Sequence, residues 1–164
     1  MEIRDALPGD WPRIWPFLRV IVRAGETYTW NRDETEEDAR AMWMAAALPF
    51  RTVVAVDGDG GDILGTAKFG PNHRGPAAHI ANASFMVNPD HGGKGVGRAL
   101  GEHVLAQARE MGFRAMQFNA VVETNTHAVR LWQSLGFEIV ATLPEGFEHP
   151  SKGYVGLHIM FRRL

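Results

Sequence analysis

The feature that most constrains the fold of this chain is a strand, a glycine-rich turn and an amphipathic helix in direct succession between residues 78 and 112. Residues 78–87 favour a strand, which Asn88-Pro89 stops. Glycines follow at positions 92, 93, 95 and 97, and then a helix with one apolar side that Gly112 ends. The apolar side consists of Val96, Leu100, Val104, Ala108 and Met111. This unit predicts a sheet with that helix packed on one face.

The other segments extend this unit to a complete order of elements. Further strands are predicted at residues 2–6, 51–57, 63–70, 115–122, 138–143 and 154–162. Further helices are predicted from Pro8 to Gly25, from Thr35 to about Leu48 before Pro49, and from Asn125 to Gly136, with a loop from Pro144 to Gly153. We therefore expect one domain over residues 1–164 with an α/β (α+β) fold. Its mixed central sheet has about seven strands, with helices on both faces.

Composition excludes several classes of function. The formal charge of −2, from 17 basic and 19 acidic side chains, provides no basic excess for nucleic acid. No apolar run approaches the roughly 20 residues of a membrane span, and Glu2 and Asp5 stand where a signal peptide would be apolar. The chain has no cysteine and its seven histidines are scattered, so we expect no metal site. We expect a cytoplasmic protein with no nucleic-acid or membrane partner.

The glycine-rich turn is a candidate site for a diphosphate. Glycine lets backbone N–H groups approach a ligand without a Cβ in the way, and the start of a helix adds free N–H donors and partial positive charge. Lys94 and Arg98 can supply further charge. The candidate ligand residues are Gly92, Gly93, Lys94, Gly95, Val96, Gly97 and Arg98.

Three nucleotide ligands compete for this turn. A P-loop needs Ser or Thr after its lysine, whereas Gly95 follows Lys94. A dinucleotide fingerprint beginning at Gly93 has Arg98 where its third glycine belongs, and the turn lies past mid-chain rather than in the first strand–helix unit. Coenzyme A, whose pyrophosphate needs the same donors, remains. A glycine-rich turn that binds no ligand is the alternative.

A second motif, about thirty residues later, makes a family resemblance explicit. Residues 125–137 have the pattern N-x-x-A-x-x-L-W-x-x-L-G-F. Together with the glycine turn and the order of elements, this pattern resembles the GNAT superfamily of acyl-CoA-dependent N-acyltransferases over nearly the whole chain. The resemblance implies acetyl-CoA as cosubstrate, a homodimer, and a bulged strand 78–87 that splays from strand 115–122. It also implies that Phe85, Met86 and Val87 hold the pantetheine arm and that Asn125 contacts the coenzyme.

The resemblance also implies direct attack of a neutral amine on the thioester, and here two familiar groups are missing. The strand before the turn has no carboxylate to act as base, and Trp132 stands four residues after Ala128, where many members have an acidic Tyr. Glu123, His79 and His127 are alternative proton acceptors. Ordered water and backbone at the splayed strands are the proposed route for deprotonation, with the oxyanion against the N–H near Val87.

Three asparagines are the polar groups left for catalysis: Asn82, Asn119 and Asn125. The first two lie on the strands expected to splay, where their amides can bind a carboxylate and order water. Tyr28 and Trp30, in the loop 26–33 that also holds Thr27, are candidate substrate contacts. The spacing is similar to a GNAT branch that acetylates proline analogues such as azetidine-2-carboxylate. In the structural alternative, Asn125 only caps a helix and the two aromatic rings only cover the core.

The leading hypothesis is therefore acetyl transfer to the amine of a small molecule, such as an amino acid or a toxic proline analogue. Two alternatives are open. One is acetylation of a protein amine or an aminoglycoside, and the other is a binding module that senses acetyl-CoA without catalysis.

Overall fold

The computed structural model describes residues 1–44, 47–58 and 61–164. Its strands are β1 (Glu2–Asp5), β2 (Arg51–Val56), β3 (Ile63–Pro71), β4 (Ile80–Val87), β5 (Ala115–Val122), β6 (Glu138–His149) and β7 (Gly153–Arg163). Its α-helices are α1 (Trp11–Ala24), α2 (Glu36–Trp43), α3 (Val96–Glu110) and α4 (Thr126–Ser134). The seven strands form one sheet in the order β1-β2-β3-β4-β5-β7-β6, in which β4 and β5 are parallel and the other neighbours antiparallel. The predicted mixed sheet is confirmed.

The sheet has helices on both faces, as predicted. Successive side chains along each strand point to opposite faces, and this alternation produces one hydrophobic core on each face. On β2, Val54 and Val56 face α1 and α2, whereas Val53 and Ala55 face α3. The larger core continues under α4 through Trp132. Within the described residues, no helix combines the length and apolar character needed to cross a bilayer.

The sheet opens between β4 and β5, which confirms the predicted splay. The two strands pair only at Ile80–Ala81 with Ala115–Met116. By contrast, β4 pairs with β3 along its whole length, from Gly65 opposite Val87 onwards, without a register shift. The predicted bulge in β4 is therefore wrong. The irregularity lies in β5, whose register with β7 shifts between Phe118 and Val121, because β4 stays bonded to β3 and β5 has to bend away.

The prediction that the second helix runs to Leu48 and is stopped by Pro49 is wrong. The helix α2 ends at Trp43, and Met44 is extended, with φ −79° and ψ 108°. Side chains from the sheet donate to the carbonyls at its end: the Thr52 hydroxyl donates to the Trp43 carbonyl at 2.7 Å, and Lys68 Nζ donates to the Met42 carbonyl. Tertiary contacts thus end this helix before the proline. The remainder of the predicted helix includes residues 45 and 46, which lie outside the described residues.

The predicted loop from Pro144 to Gly153 is mostly strand. Residues 144–149 belong to β6, and only residues 150–152 form the turn to β7. Pro144 is tolerated because β6 is an edge strand, where a missing N–H costs little. Between Leu143 and Phe147 the register with β7 shifts, and Glu145 there has a φ of 54°. The bulge accommodates the residues whose types predicted a loop, so the strand continues past them.

Candidate active site

The opening between β4 and β5 exposes backbone groups of β4. Beside this strand, even-numbered residues bond toward β3, as Asn88 N does to the Leu64 carbonyl at 2.9 Å. Odd-numbered residues bond toward β5, as the His79 carbonyl does when it accepts from Arg114 N at 2.9 Å. This alternation directs three residues' N–H and C=O groups toward the gap, where β5 no longer pairs: Ala83, Phe85 and Val87.

Tyr28 connects the loop after α1 to this open backbone. Its hydroxyl donates to the Phe85 carbonyl at 2.6 Å. Its ring packs edge-on against Trp30 and Trp43, with ring centroids 6.0 and 6.4 Å away. Burial raises the pKa of the Tyr28 phenol, so the hydroxyl remains a donor at neutral pH.

A cavity of about 450 Å³, which we call the gap cavity, lies in the opening. None of the described residues that line it is Asp, Glu, His, Lys or Arg. It is therefore a neutral site of aromatic rings, amides and open backbone. The structure brings these predicted residues to its wall: Tyr28, Trp30, Asn82, Phe85, Met86, Val87, Asn119 and Asn125. Met86 contributes least, because its side chain is buried in the other core and its carbonyl faces Gly65 on β3.

Asn82 and Asn119 lie on opposite sides of the gap and differ in their bonding. Asn119 Nδ2 donates to Asn72 Oδ1 at 2.7 Å, and Gln117 Nε2 donates to Asn119 Oδ1 at 3.0 Å. Asn82 is half-buried, and in the described part of the chain no protein group hydrogen-bonds its side chain. A half-buried amide without a protein partner is available to a ligand or to water.

A second cavity, of about 680 Å³, lies over the glycine-rich turn, and we call it the glycine-loop cavity. Gly93 and Gly95 have φ values of 79° and 75°, which favour glycine. The first helical bond of α3 runs from Ala99 N to the Gly95 carbonyl at 3.0 Å, and Gly95 supplies no side-chain cap. The amides of residues 96–98 thus precede the helical ladder and point out of the helix N-terminus, a favourable arrangement for an anion.

Most of the predicted diphosphate residues line this cavity, and one does not. The lining includes Gly92, Gly93, Gly95, Val96, Gly97 and Arg98. Arg98 is held in place by Ser134 Oγ at 2.7 Å and by Glu102 at 3.5 Å. Lys94 lines neither cavity, and its Nζ lies 3.4 Å from His91 Nδ1.

The two cavities are adjacent, and five residues line both: Phe85, Val87, Asn125, Ala128 and Trp132. The Trp132 ring stands at this junction, 4.6 Å from the Phe85 ring and 4.9 Å from the Phe118 ring between centroids. Asn125 Oδ1 accepts from Ala128 N at 3.4 Å, so Asn125 caps α4 while lining both cavities. The site at the N-terminus of α3 and the gap between β4 and β5 therefore adjoin at these residues.

The alternative proton acceptors are mostly elsewhere. His79 lines a separate pocket with Arg114 and Leu164. The Glu123 carboxylate packs against Gly156 on β7 and lines neither cavity. Only His127 reaches one of them, the glycine-loop cavity.

Sequence reasoning missed several wall residues. Ser84 lies on the same face of β4 as Asn82, and the two-residue period of a strand was a signal for it. Lys68, opposite Ser84 on β3, lines a neighbouring cavity. No local pattern indicated Lys68, because only strand pairing brings it there.

Comparisons with known proteins agree with this geometry. The model of the Acetyltransferase (GNAT) family matches residues 14–137. The N-acetyltransferase aca1 of Schizosaccharomyces pombe is 37% identical over 160 residues, which cover 87% of this chain and 75% of that protein. The L-amino acid N-acyltransferase MnaT of Escherichia coli is 32% identical over 117 residues, covering 71% of this chain and 67% of that protein.

Solved structures share the whole fold. A GCN5-related N-acetyltransferase from Kribbella flavida superposes with a TM-score of 0.96 and 56% identity, covering 99% of this chain and 97% of that one. The putative acetyltransferase yncA from Salmonella typhimurium, solved with acetyl-CoA, has a TM-score of 0.82 and 26% identity, covering 100% of this chain and 94% of that one. The family match, the relatives and the fold agree, and the chain belongs to the GNAT family of acetyltransferases.

Proposed function

We propose that this acetyltransferase transfers the acetyl group of acetyl-CoA to the amine of a small molecule in a ternary complex. The observation that carries the proposal is that the two cavities meet at the open backbone of β4, where Phe85 and Val87 line both. One cavity has the donors that a diphosphate needs, and the other is a small neutral pocket for an acceptor. The junction between them is the place for the reacting atoms.

The glycine-loop cavity fits the coenzyme. Gly93 and Gly95 have no atom within 4 Å of the position that a Cβ would occupy, so a diphosphate can approach their backbone. The amides of residues 96–98 and the Arg98 guanidinium supply donors and positive charge to it. The gap-facing Phe85 N–H and Val87 carbonyl supply a donor and an acceptor for the amide groups of the pantetheine arm.

The gap cavity fits a small amine, and we propose an amino acid or an amino-acid analogue. Asn82 and Asn119 offer amide groups on the two sides of the opening, and Tyr28 and Trp30 form the aromatic wall. The name of the Escherichia coli relative specifies L-amino acids, and a Salmonella typhimurium relative, 31% identical over 117 residues, is an L-methionine sulfoximine/L-methionine sulfone acetyltransferase. A toxic proline analogue is the narrower candidate.

The reaction requires removal of a proton from the ammonium, stabilisation of charge on the thioester oxygen and departure of the thiolate. With no acid or base of the Asp, Glu, His, Lys or Arg type among the described residues of the gap cavity, we infer that Asn82 and Asn119 hold water that accepts the proton. The Val87 N–H, which faces the gap, donates to the thioester oxygen. Asn125 and the N-terminus of α4 favour the thiolate by their dipoles.

We further propose one domain over residues 1–164, acting in the cytoplasm as a homodimer without nucleic-acid or membrane partners. The absence of cysteine fits a reducing compartment. The edge strand β6 exposes Ile139, Val140 and Leu143, which supports burial of that edge against a second copy. The net charge of −2 favours a neutral small molecule or zwitterion over a polyanion.

The test is release of coenzyme A thiol from acetyl-CoA in the presence of an amine panel. The panel contains amino acids, proline analogues, an aminoglycoside and a lysine peptide, and mass spectrometry identifies the acetylated product. We expect turnover with amino acids or their analogues. Acetyl-CoA binding without turnover on every amine would contradict the enzyme and support a sensor, the function that a cavity without an acid or base favours.

A further inference from the structure

Lys68 lies beside the gap cavity, and the proposed mechanism gives this residue no role. It stands on β3 directly opposite Ser84 of β4. Together with Trp30, Asn82 and Ser84 it lines a third cavity, of about 310 Å³, which we call the Lys68 cavity. Those three other residues also line the gap cavity, so the two spaces share a wall.

The Lys68 ammonium has no counter-charge among the residues that the structure describes. Its Nζ donates to the Met42 carbonyl and lies 6.0 Å from the centre of the Phe50 ring. Among residues 1–44, 47–58 and 61–164, no carboxylate lies within 4.0 Å of it. Burial lowers the pKa of Lys68. An ammonium that is half-buried and unpaired is costly unless an anion joins it.

The Met42 contact alone leaves most of the ammonium's donors unused. An ammonium has three N–H donors, and the carbonyl at the end of α2 takes one of them. Neither the Lys68 cavity nor the gap cavity has another Lys, Arg or His among its described lining residues. Among the described lining residues of these two cavities, Lys68 is therefore the one cation.

We propose that Lys68 binds the carboxylate of the acceptor, so that the substrate class is an amine that also carries a carboxylate group. The inference rests on the proposed function and deepens it. Lys68 and Ser84 are cross-strand neighbours with Cβ atoms about 5 Å apart, and Phe85, next in the chain, faces the gap with its backbone. A short zwitterion held by Lys68 across Ser84 and Asn82 thus directs its amine toward the junction of the two cavities. Lys68 acts as a specificity-determining residue.

The experiment pairs two substrates with two variants. The substrates are L-methionine sulfone and its carboxamide, with azetidine-2-carboxylate and its carboxamide as a second pair. The variants are Lys68→Met, which keeps most of the side chain without the charge, and Lys68→Arg, which keeps the charge. Steady-state kinetics give KM and kcat for each pair, and calorimetry gives the affinity for acetyl-CoA.

We expect the wild-type enzyme to prefer each carboxylate to its carboxamide. Lys68→Met raises KM for the carboxylates by about 10- to 100-fold, the loss expected for one charge-assisted hydrogen bond. It changes KM for the carboxamides by less than about threefold, and Lys68→Arg restores most of the preference. Affinity for acetyl-CoA stays the same in both variants.

A purely structural role at the end of α2 would give a different pattern. In that case Lys68→Met impairs carboxylate and carboxamide equally, and this result, or an unchanged preference, would overturn the proposal. Should no amine be acetylated by the wild type, the proposed function fails, and calorimetric binding of L-methionine sulfone then decides the Lys68 site separately. Binding that needs both the carboxylate and Lys68 supports the site, and its absence in the wild type overturns it.

Discussion

The two cavities that meet at β4 are built by different means. The glycine-loop cavity is formed by a continuous segment, residues 88–98, and by α4, and its donors are mostly backbone amides. The gap cavity takes its walls from the loop 27–30, β4, β5 and the start of α4, and its polar groups are mostly side chains. The difference separates two tasks. In the function that we propose, local backbone geometry holds the coenzyme, whereas side chains that only the folded chain brings together select the acceptor.

We expect the largest effect at the glycine-loop cavity, whose donors are mostly backbone amides. Gly95→Val places a β-branched side chain at a φ of 75° and puts methyl groups where the diphosphate should lie. We expect the Kd for acetyl-CoA to rise by at least about 100-fold, because the helix N-terminus is blocked for an anion. Isothermal titration calorimetry measures the change.

Gly153→Val is the matched control for this variant. Gly153, the first residue of β7, has a φ of 71° and, like Gly95, nothing within 4 Å of a Cβ position. Both substitutions therefore carry a similar backbone cost of about 1–2 kcal/mol, but only Gly95→Val should lose coenzyme. An equal rise in the Kd for acetyl-CoA in both variants would show that backbone strain, rather than a blocked diphosphate site, is responsible.

We expect the next largest effect at the gap cavity, whose polar groups are mostly side chains. Asn82→Ala removes the amide that has no protein partner in the described residues. We expect kcat/KM for the amine to fall by about 10- to 30-fold, the equivalent of one or two hydrogen bonds to substrate or water. Acetyl-CoA affinity should stay within about twofold. A loss of both kcat/KM for the amine and acetyl-CoA affinity would contradict the proposed division of tasks between the two cavities.

Asn119→Ala provides a sharper version of the same test. Asn119 is already bonded to Asn72 and Gln117, so its amide is positioned but partly occupied. We expect a smaller loss of kcat/KM than for Asn82→Ala, about 3- to 10-fold, again without a change in coenzyme affinity. Unchanged amine kinetics in both variants would refute the asparagine assignment.

We expect a smaller effect at Tyr28, which connects the loop after α1 to β4. Tyr28→Phe removes the hydroxyl that donates to the Phe85 carbonyl at 2.6 Å but keeps the ring packing. We expect a loss of about 1 kcal/mol of unfolding free energy and a few-fold decrease in kcat/KM. Urea unfolding and steady-state kinetics measure the two quantities. No loss of either would mean that water replaces the hydroxyl without consequence.

The smallest effect on the site is expected far from both cavities, at Asp10. This buried carboxylate accepts from Arg4 at 2.7 and 2.9 Å and from Leu7 N at 2.7 Å. The Arg4 hydrogen bond, aided by the Leu7 amide, lowers the Asp10 pKa below its ordinary value of 3.8. The stabilisation is therefore complete above that value and is lost as the pH falls through the lowered pKa of the folded state.

Asp10→Asn separates this stabilising contact from the reaction. We expect it to lose about 1–3 kcal/mol of unfolding free energy at pH 7 and to show a weaker decline below pH 4 than the wild type. Kinetics with acetyl-CoA and amine should be unchanged at neutral pH, where both proteins are folded. A change in coenzyme affinity would extend the site beyond the two cavities.

The sequence predicted what depends on local chemistry. The glycines, the helix start after them and the helix-capping Asn125 act within a few residues, so their pattern indicated the glycine-loop cavity before the fold was known. Prediction failed where distant segments decide the local structure. The helix α2 ends at Trp43 because Thr52 and Lys68 bind its last carbonyls, and a pattern within the helix carries no sign of them.

The sequence by itself thus determined the order of elements, the two-faced sheet and the backbone cradle, since hydrophobic periodicity and glycine conformation are properties of short segments. The tertiary structure alone decided that β5 rather than β4 bends at the opening, and that Lys68 lies against Ser84 beside the gap. Those relations depend on strand register and on packing between segments far apart in the chain, and such contacts exist only once the sheet has formed.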